Sequence, residues 1–585
     1  MGTDFQRTVL WVFFGMSLFL LWDRWLVHTG KPSMFGAPPT PPPAAAPADA
    51  TQAAVPPAGP AVPGSVPAVP APGAAASTAA APGAVPAQAP NVAAAKAAPV
   101  VIQTDVLKVS IDPEGAVVSR AELLKEKVAP DWTASGLLGL VTGKKHDATR
   151  NTVLLEVSPN RVYVTQSGVV GGNFPNHRTP FTVVDGPREL AAGQDTLPVT
   201  FVSESDGVRV TKTYTFHRGR HDIEVTHKVE NIGEAPVTPS LYLQIVRDGN
   251  KPEGESSLYY TYTGPVVYTD QQKFRKVDFA DIEKNKAELP KAASDGWVGV
   301  IQHYFATAWV PEKGERQFYA RSVDKNLYSI GTLLPLGTVA PGADATSKAK
   351  LYIGPQNQQA LEAIAPGLDL VVDYGWLTFL AKPIYWLLEF LHRIVGNWGW
   401  AIVLLTVLIK AAFYPLSAAS YKSMARMKEV TPRLTKLREQ YGDDKQKLNT
   451  AMMELYRNEK INPLGGCLPI LVQIPVFISL YWVLLASVEM RNAPWTLWVT
   501  DLATPDPWFI LPLLMMATMW IQYKLNPVPP DPVQAKVMMF MPLIFGVMFF
   551  FFPAGLVLYW LTNNILSIAQ QWYVTKQIAK AKKPG

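Results

Sequence analysis

The sequence predicts an α-helical membrane bundle of six spans joined to a large exported antiparallel β-sandwich. Three features of the 585 residues predict it: long apolar runs at the start and in the last third, short alternating segments between them, and Lys and Arg gathered beside apolar runs. They divide the chain into a membrane anchor (1–30), an Ala/Pro-rich linker (31–100), the sandwich (101–355), an interfacial amphipathic helix (356–395), a core of five spans with a cytoplasmic helical hairpin at 417–462 (396–575), and a basic tail (576–585).

Composition narrows the function classes. Charged residues are 17% of the chain, hydrophobic ones 48%, and the net charge is +6. A basic excess can signal nucleic acid, but here it flanks apolar runs, as in cytoplasmic loops of membrane proteins. The only cysteine, Cys467, has no intrachain partner, so an exported domain must fold on packing alone.

The first apolar run, 8–22 with Trp25 to Val27 behind it, suits a signal peptide or an anchor. No small-x-small cleavage site follows directly, and the run approaches the about 20 residues a spanning helix needs, which favours an uncleaved anchor. Residues 37–99 are almost entirely Ala, Pro, Gly, Val and Ser, with Asp49 and Lys96 their only charges. They cannot form a core and read as a semi-extended tether, either a spacer or a permissive insertion.

Between about 101 and 354 the period is two. Val208, Val210, Lys212, Tyr214 and Phe216 fall on one face, and after the turn at His217 to Arg220 the residues Ile223, Val225, His227 and Val229 repeat the alternation. Further strands are expected at 153–157, 161–165, 241–246, 258–262, 297–309 and 350–353, an antiparallel sandwich. The stretch 374–390 is aromatic and amphipathic, interrupted by Pro383, and suits a helix in the membrane interface. Spans follow at 398–416, 464–486, 508–523, 535–552 and 555–573. The ten Lys and Arg between 417 and 462 and the lysines of the tail place both segments in the cytoplasm. The loop 487–507 has Arg491 as its only cation and belongs outside, and alternation then puts both termini inside and the sandwich outside.

One residue of the second span is out of place. Lys410 interrupts an apolar helix, with Thr406 one turn before it on the same face. An ionised lysine at a helix centre costs about 2.5–3.5 kcal/mol on insertion scales, so it either faces a polar cavity or snorkels to the headgroups. No acid lies in these spans to neutralise it. Gln473, Gln522, Thr562, Asn563, Asn564, Ser567, Gln570 and Gln571 supply polar company, suited to a hydrated pocket for acidic groups or to interhelical hydrogen bonds. The many methionines of the last spans fit either a surface accepting varied apolar shapes or ordinary packing. In the hairpin, Thr431-Pro432 reads as a helix start, Gly442 as a stop, Asp443 or Asp444 as the next cap and Asn462-Pro463 as the end. Leu434, Leu437 and Tyr441 can face Leu448, Met452 and Leu455. Its basic face suits anionic lipid, a ribosome or a targeting factor, or is simply solvated.

The stretches GNWGWAIVLLTVLIKAAFYPL, YGDDKQKL, NPLGGCLPILVQIPVFISLYWVL and FFPAGLVLYWLTNN closely resemble the YidC membrane protein insertase family in its Gram-negative, six-span form. The resemblance implies a bacterial inner-membrane protein with a periplasmic sandwich, acting on nascent membrane proteins alone or beside the Sec translocon, and chaperoning their folding. It implies that Lys410 holds the family's groove cation, with Thr406, Gln473 and Trp560 lining a water-filled groove open to cytoplasm and lipid; Gln522 and Asn563 are further candidates to touch substrate. The family more usually has arginine there, so this chain keeps the charge without the planar fork.

An intramembrane protease needs an in-span nucleophile and base, or HExxH ligands, and none is found. His28 and His392 have no partner at ligand spacing, so no metal or cofactor is expected. A secondary transporter with a buried cationic site is the stronger rival, but it calls for repeat symmetry that the short fourth span and large hairpin do not display.

Overall fold

A computed structural model of the chain describes residues 85, 98–128, 136–143, 149–252, 261–442, 444–459, 468–526 and 532–581. The anchor, nearly all of the linker, Asp443, Asn462-Pro463, Cys467 and the end of the tail lie outside the described residues.

The alternating middle region builds two nine-stranded sheets, and all their strand pairings are antiparallel. From edge to edge the first is Val100–Gln103, Leu107–Asp112, Val117–Lys127, Asn151–Ser158, Arg161–Val170, Ser240–Asp248, Leu327–Pro335, Arg316–Asp324 and Ala292–Ala293. The second runs Lys273–Lys276, Gly264–Thr269, Trp297–Gln302, Phe305–Pro311, Asp344–Pro355, Asp222–Asn231, Val208–His217, Thr196–Ser205 and Thr182–Val183. Val208–His217 alternates buried and half-buried residues without a break, as its period of two requires. Trp297 and Trp309, each 1% exposed, sit in the core between the sheets.

Two strand expectations need correction. The stretch 297–309 is a hairpin of two strands that turns at His303-Tyr304, where Tyr304 takes φ 69°. Of 258–262, only Thr261 and Tyr262 are described, and neither is in a strand. The Tyr262 hydroxyl instead donates to the carbonyls of Pro265 or Val277, so the ring packs as a buried prop.

The C-terminal region is helical: α1 Thr378–Val395, α2 Trp398–Ala412, α3 Tyr414–Tyr441, α4 Lys445–Asn458, α5 Leu468–Ala486, α6 Ile510–Leu525, α7 Pro532–Phe549 and α8 Ala554–Ala581. Helix α1 buries Ala381, Ile384, Tyr385, Leu388 and Leu391 against α2 and α5, and leaves Phe379, Trp386, Phe390 and Ile394 exposed along the opposite stripe. Both faces are apolar, which suits a helix between protein and lipid. Leu513, Leu514, Trp520, Phe540, Leu543, Ile544 and Val547 are also at least 46% exposed on α6 and α7. An apolar belt of that extent is foreign to a water-facing surface and natural to a lipid-facing one.

Among the described residues no single helix is long and apolar enough to cross a membrane; α2 and α3 pass that test together, bent by 67° at their break. The expected single span at 398–416 is therefore two helices. Pro415 in the first turn of α3 has no N–H to continue the ladder of α2, and its ring crowds the preceding turn. The hairpin also differs: α3 runs through Thr431-Pro432, with Pro432 inside the helix, where Val430 and Leu434 pack with Met452, Leu455 and Tyr456 on either side of it. Leu437, Tyr441 and Leu448 stay outside that cluster. Gly442 ends α3, and Asp444 caps α4 by accepting the Lys447 N–H at 3.1 Å.

The sandwich is docked on the helices through the loop between α5 and α6. Arg491 donates to the Lys127 carbonyl at 2.7 Å and lies over the Tyr304 and Phe305 rings, and His303 Nε2 meets the Leu485 carbonyl at 2.9 Å. Glu489 Oε1 accepts from the Tyr385 hydroxyl (2.9 Å) and Asn357 Nδ2 (3.1 Å), joining α1, the sandwich and the α5–α6 loop.

Candidate functional site

Lys410 stands in the last turn of α2, just before the bend. The carbonyls at a helix C-terminus carry partial negative charge, which favours a cation there without any acid nearby. The lysine is 4% exposed, and its Nζ donates to Ser567 Oγ on α8 at 2.8 Å. The Ser567 hydroxyl in turn donates to the Asn563 carbonyl at 2.7 Å, and Tyr421 of α3 lies beside Ser567. Three helices thus meet around one hydroxyl. Gln570 reaches back from α8 to the Lys410 carbonyl at 3.5 Å.

Beside this knot lies a cavity of about 250 Å³, lined by Tyr421, Met424, Lys428, Leu525, Gln571, Trp572 and Lys576 among others. Lys410 does not line it; Tyr421 stands between, touching the cavity on one side and Ser567 on the other. Lys428 and Lys576 make its rim cationic, with the Lys576 ammonium 4.6 Å from the Trp572 ring centroid. The Oε1 atoms of Gln570 and Gln571 are buried and meet no protein donor. Buried acceptors of that kind are ordinarily met by water.

The other expected residues fall around this centre unevenly. Thr406 is 1% exposed, but its hydroxyl is spent on the Ile402 carbonyl of its own helix at 2.7 Å. Asn563 joins through its backbone carbonyl. Trp560 stacks on Phe477 of α5 with centroids 4.5 Å apart and meets Phe549 of α7 edge-on at 4.3 Å, pinning α5, α7 and α8 together. Gln473 lies half-buried one turn before Phe477, and Gln522 is half-buried near the end of α6, where Asn526 accepts from Gln571 at 3.1 Å. Ser567 was one polar residue among several in the sequence, and Tyr421 carried no signal at all: its place follows from the 67° bend, which turns the start of α3 back across α8. Among the described residues no group of three or more His, Cys, Asp and Glu is placed to hold a metal ion.

A large antiparallel sandwich set on a helical core with an apolar belt, with a cation buried at a helix break beside a polar cleft, is the architecture of an integral membrane protein. Two family descriptions match it from residue 99 onward: YidC periplasmic domain over residues 99–387, and 60Kd inner membrane protein over residues 390–582. The protein named Membrane protein insertase YidC of Bordetella petrii is 57% identical over 582 residues, covering 99% of this chain and 98% of the relative. Its namesake in Cupriavidus necator is 53% identical over 584 residues, with 99% of each covered. A solved structure titled as an active YidC insertase with the first transmembrane domain resolved is 18% identical, covering 82% of this chain and 93% of its own, at a TM-score of 0.38. The chain belongs to the YidC membrane protein insertase family, and its place is the inner membrane.

Proposed function

We propose that this chain inserts nascent membrane proteins into the inner membrane and chaperones their folding, using the cationic cleft between α3, α6 and α8 as the polar entrance. The observation that carries the reading is Lys410 at the α2 break, held among the described residues by a neutral hydroxyl, behind a cleft with a lysine rim and unmet amide acceptors. A polar or acidic outer segment of a substrate settles in the cleft, where the lysines attract it. Exchange of Tyr421 away from Ser567 opens the way to Lys410. The substrate's apolar helix meanwhile lies along the exposed apolar faces beside α5 and α7, and its transfer into lipid is driven by burial of its own apolar surface, about 25 cal/mol per Å².

Six spans with both termini cytoplasmic belong to this reading. The apolar belt, the bent α2–α3 pair and the lysine-rich hairpin and tail support it. So does a role for the hairpin and tail in meeting a ribosome, a targeting factor or anionic lipid, and for the apolar flanks in work beside the Sec translocon.

The test is insertion of a substrate with an acidic outer segment into vesicles, read by protease protection. Lys410→Glu is expected to lower it on the order of tenfold through charge reversal, and Lys410→Arg to hold it within about twofold because the charge is kept. Equal insertion by wild type and Lys410→Glu would remove the cation from the mechanism.

A further inference from the structure

The outer face of the first sheet carries an aromatic pocket that the membrane chemistry leaves unused. On Ser240–Asp248 the residues Leu241, Leu243 and Ile245 enter the central core, so Tyr242 and Gln244 point outward. Tyr242 pairs with Gly168 on one neighbouring strand and Leu333 on the other, and Tyr319 pairs with Gly331. Both glycines are needed. A Cβ at Gly168 would come within 2.5 Å of the Tyr242 hydroxyl, and one at Gly331 within 2.5 Å of the Tyr319 hydroxyl. Each ring therefore lies down over bare backbone. The hydroxyls are anchored, Tyr242 accepting the His177 N–H at 3.0 Å and Tyr319 donating to Gln244 Oε1 at 2.9 Å. The product is a rigid shelf of two tyrosines, edged by Val170 and Leu333.

The side chain on this shelf comes from the tether. Val85 is 9% exposed and packs with Val170, Tyr242, Tyr319 and Leu333. Arg321, whose guanidinium lies 5.6 Å from the Tyr319 ring centroid, donates through Nη1 to the Val85 carbonyl at 2.6 Å. Proline follows Val85 in the sequence, which biases the valine toward extended backbone. Proline-rich extended chain has no internal hydrogen bonds, so its carbonyls are open to a donor, and aromatic grooves with a polar donor are the usual way such chain is captured. The tether repeats the dipeptide at Val55-Pro56, Val62-Pro63, Val66-Pro67, Val69-Pro70 and Val85-Pro86.

We propose that the tyrosine shelf is a docking site for the Val-Pro dipeptides of this chain's own Ala/Pro-rich tether, with Val85 its occupant in this structure. Docking at Val85 fastens the tether to the sandwich just ahead of its first strand. The four earlier copies offer the same chemistry, and exchange among them changes the length of chain left between the first apolar run and the sandwich. The tether is an adjustable strap, and this inference stands apart from the insertion mechanism.

The test uses the full chain in lipid nanodiscs, with a photoreactive side chain at Ser240, which pairs with Val170 at the pocket edge. Adducts are expected mainly on the tether peptide around Val85. Arg321→Ala, which removes the charged donor to the carbonyl, should lower their yield about tenfold. Changing all five valines to Ser should abolish them, and restoring Val62 alone should return adducts at that copy. Hydrogen exchange of the Leu327–Pro335 amides reports whether each variant keeps the sheet. Adduct yield unchanged by Arg321→Ala, or by the five serines, in a sheet that stays protected would overturn the proposal; adducts that return only with Val85 would overturn the exchange among copies.

Discussion

The sandwich and the helical core each bury a lysine, and they do it in different ways. Lys212 is fully buried in Val208–His217, where its Nζ donates to the carbonyls of Gly115 at 2.6 Å and Ser167 at 2.8 Å and lies 4.7 Å from the Phe181 ring centroid. Among the described residues Lys410 has a single side-chain partner, the Ser567 hydroxyl, and a cleft one side chain away. The first lysine donates to two backbone carbonyls; the second donates to a hydroxyl that already has another bond. Burial alone therefore does not distinguish a structural lysine from one proposed to meet substrate. What distinguishes them is how many groups would be stranded by its loss, and whether a route leads to it.

The comparison breaks or sharpens under mutation. The largest expected effect is Lys212→Met, which strands two buried carbonyls and should destabilise the sandwich by about 3 kcal/mol. Lys410→Met leaves the Ser567 hydroxyl its bond to the Asn563 carbonyl and removes a desolvated charge, so it should cost less than about 1 kcal/mol while still lowering insertion. Hydrogen exchange of the Val208–His217 and α2 amides measures both, and equal losses would erase the distinction. Burial pulls the Lys212 ammonium down from 10.5 to about 7. Between those values the unfolded chain holds the proton more firmly than the folded one, so sandwich stability should rise as pH increases from about 7 toward 10.5.

A smaller effect is expected at the shared hydroxyl. Ser567→Ala removes the acceptor from Lys410, at a cost of about 1–2 kcal/mol. Insertion should fall a few-fold, and Ser567→Thr should restore it; a variant that unfolds α8 without changing insertion per folded molecule would make the serine structural. The smallest effect belongs to the junction between the two regions. Burial raises the Glu489 carboxyl above its ordinary 4.5, which favours the neutral form in the folded state. The junction should then loosen as pH rises from about 4.5 through the raised value, since the folded form holds the extra proton. Glu489→Gln is isosteric and neutral, so it should change stability near pH 5 by less than about 1 kcal/mol and flatten the pH dependence. A wild-type junction whose amide protection is constant across that range would remove Glu489 from the coupling.

Much of the architecture was legible because periodicity is local. The alternation at Val208 to Phe216 depends on one strand facing one core, and it can be read without knowing the partner strand. The failures are equally local in origin. The apolar run 297–309 has the composition of one strand, and only the left-handed Tyr304 folds it in two. Thr431-Pro432 has the chemistry of a helix start, yet α3 runs through it, with Val430 and Leu434 packed on either side. At the site, Lys410 announced itself as a charge where charge is costly, but Tyr421, an ordinary residue of an amphipathic stretch, did not.

The sequence by itself determined that a lipid-facing helical region and a period-two domain share one chain, and that Lys410 has no acid in its span to pair with. Tertiary structure alone decided that the lysine's partner is Ser567, 157 residues away, that Tyr421 screens it from the cleft, and that Arg491 and Glu489 clasp the sandwich. The reason is geometric. Hydrophobic pattern fixes which face of an element is buried, whereas a hydrogen-bond partner depends on the angle at which two elements cross, and that angle is set by the Pro415 bend and by packing across the whole bundle.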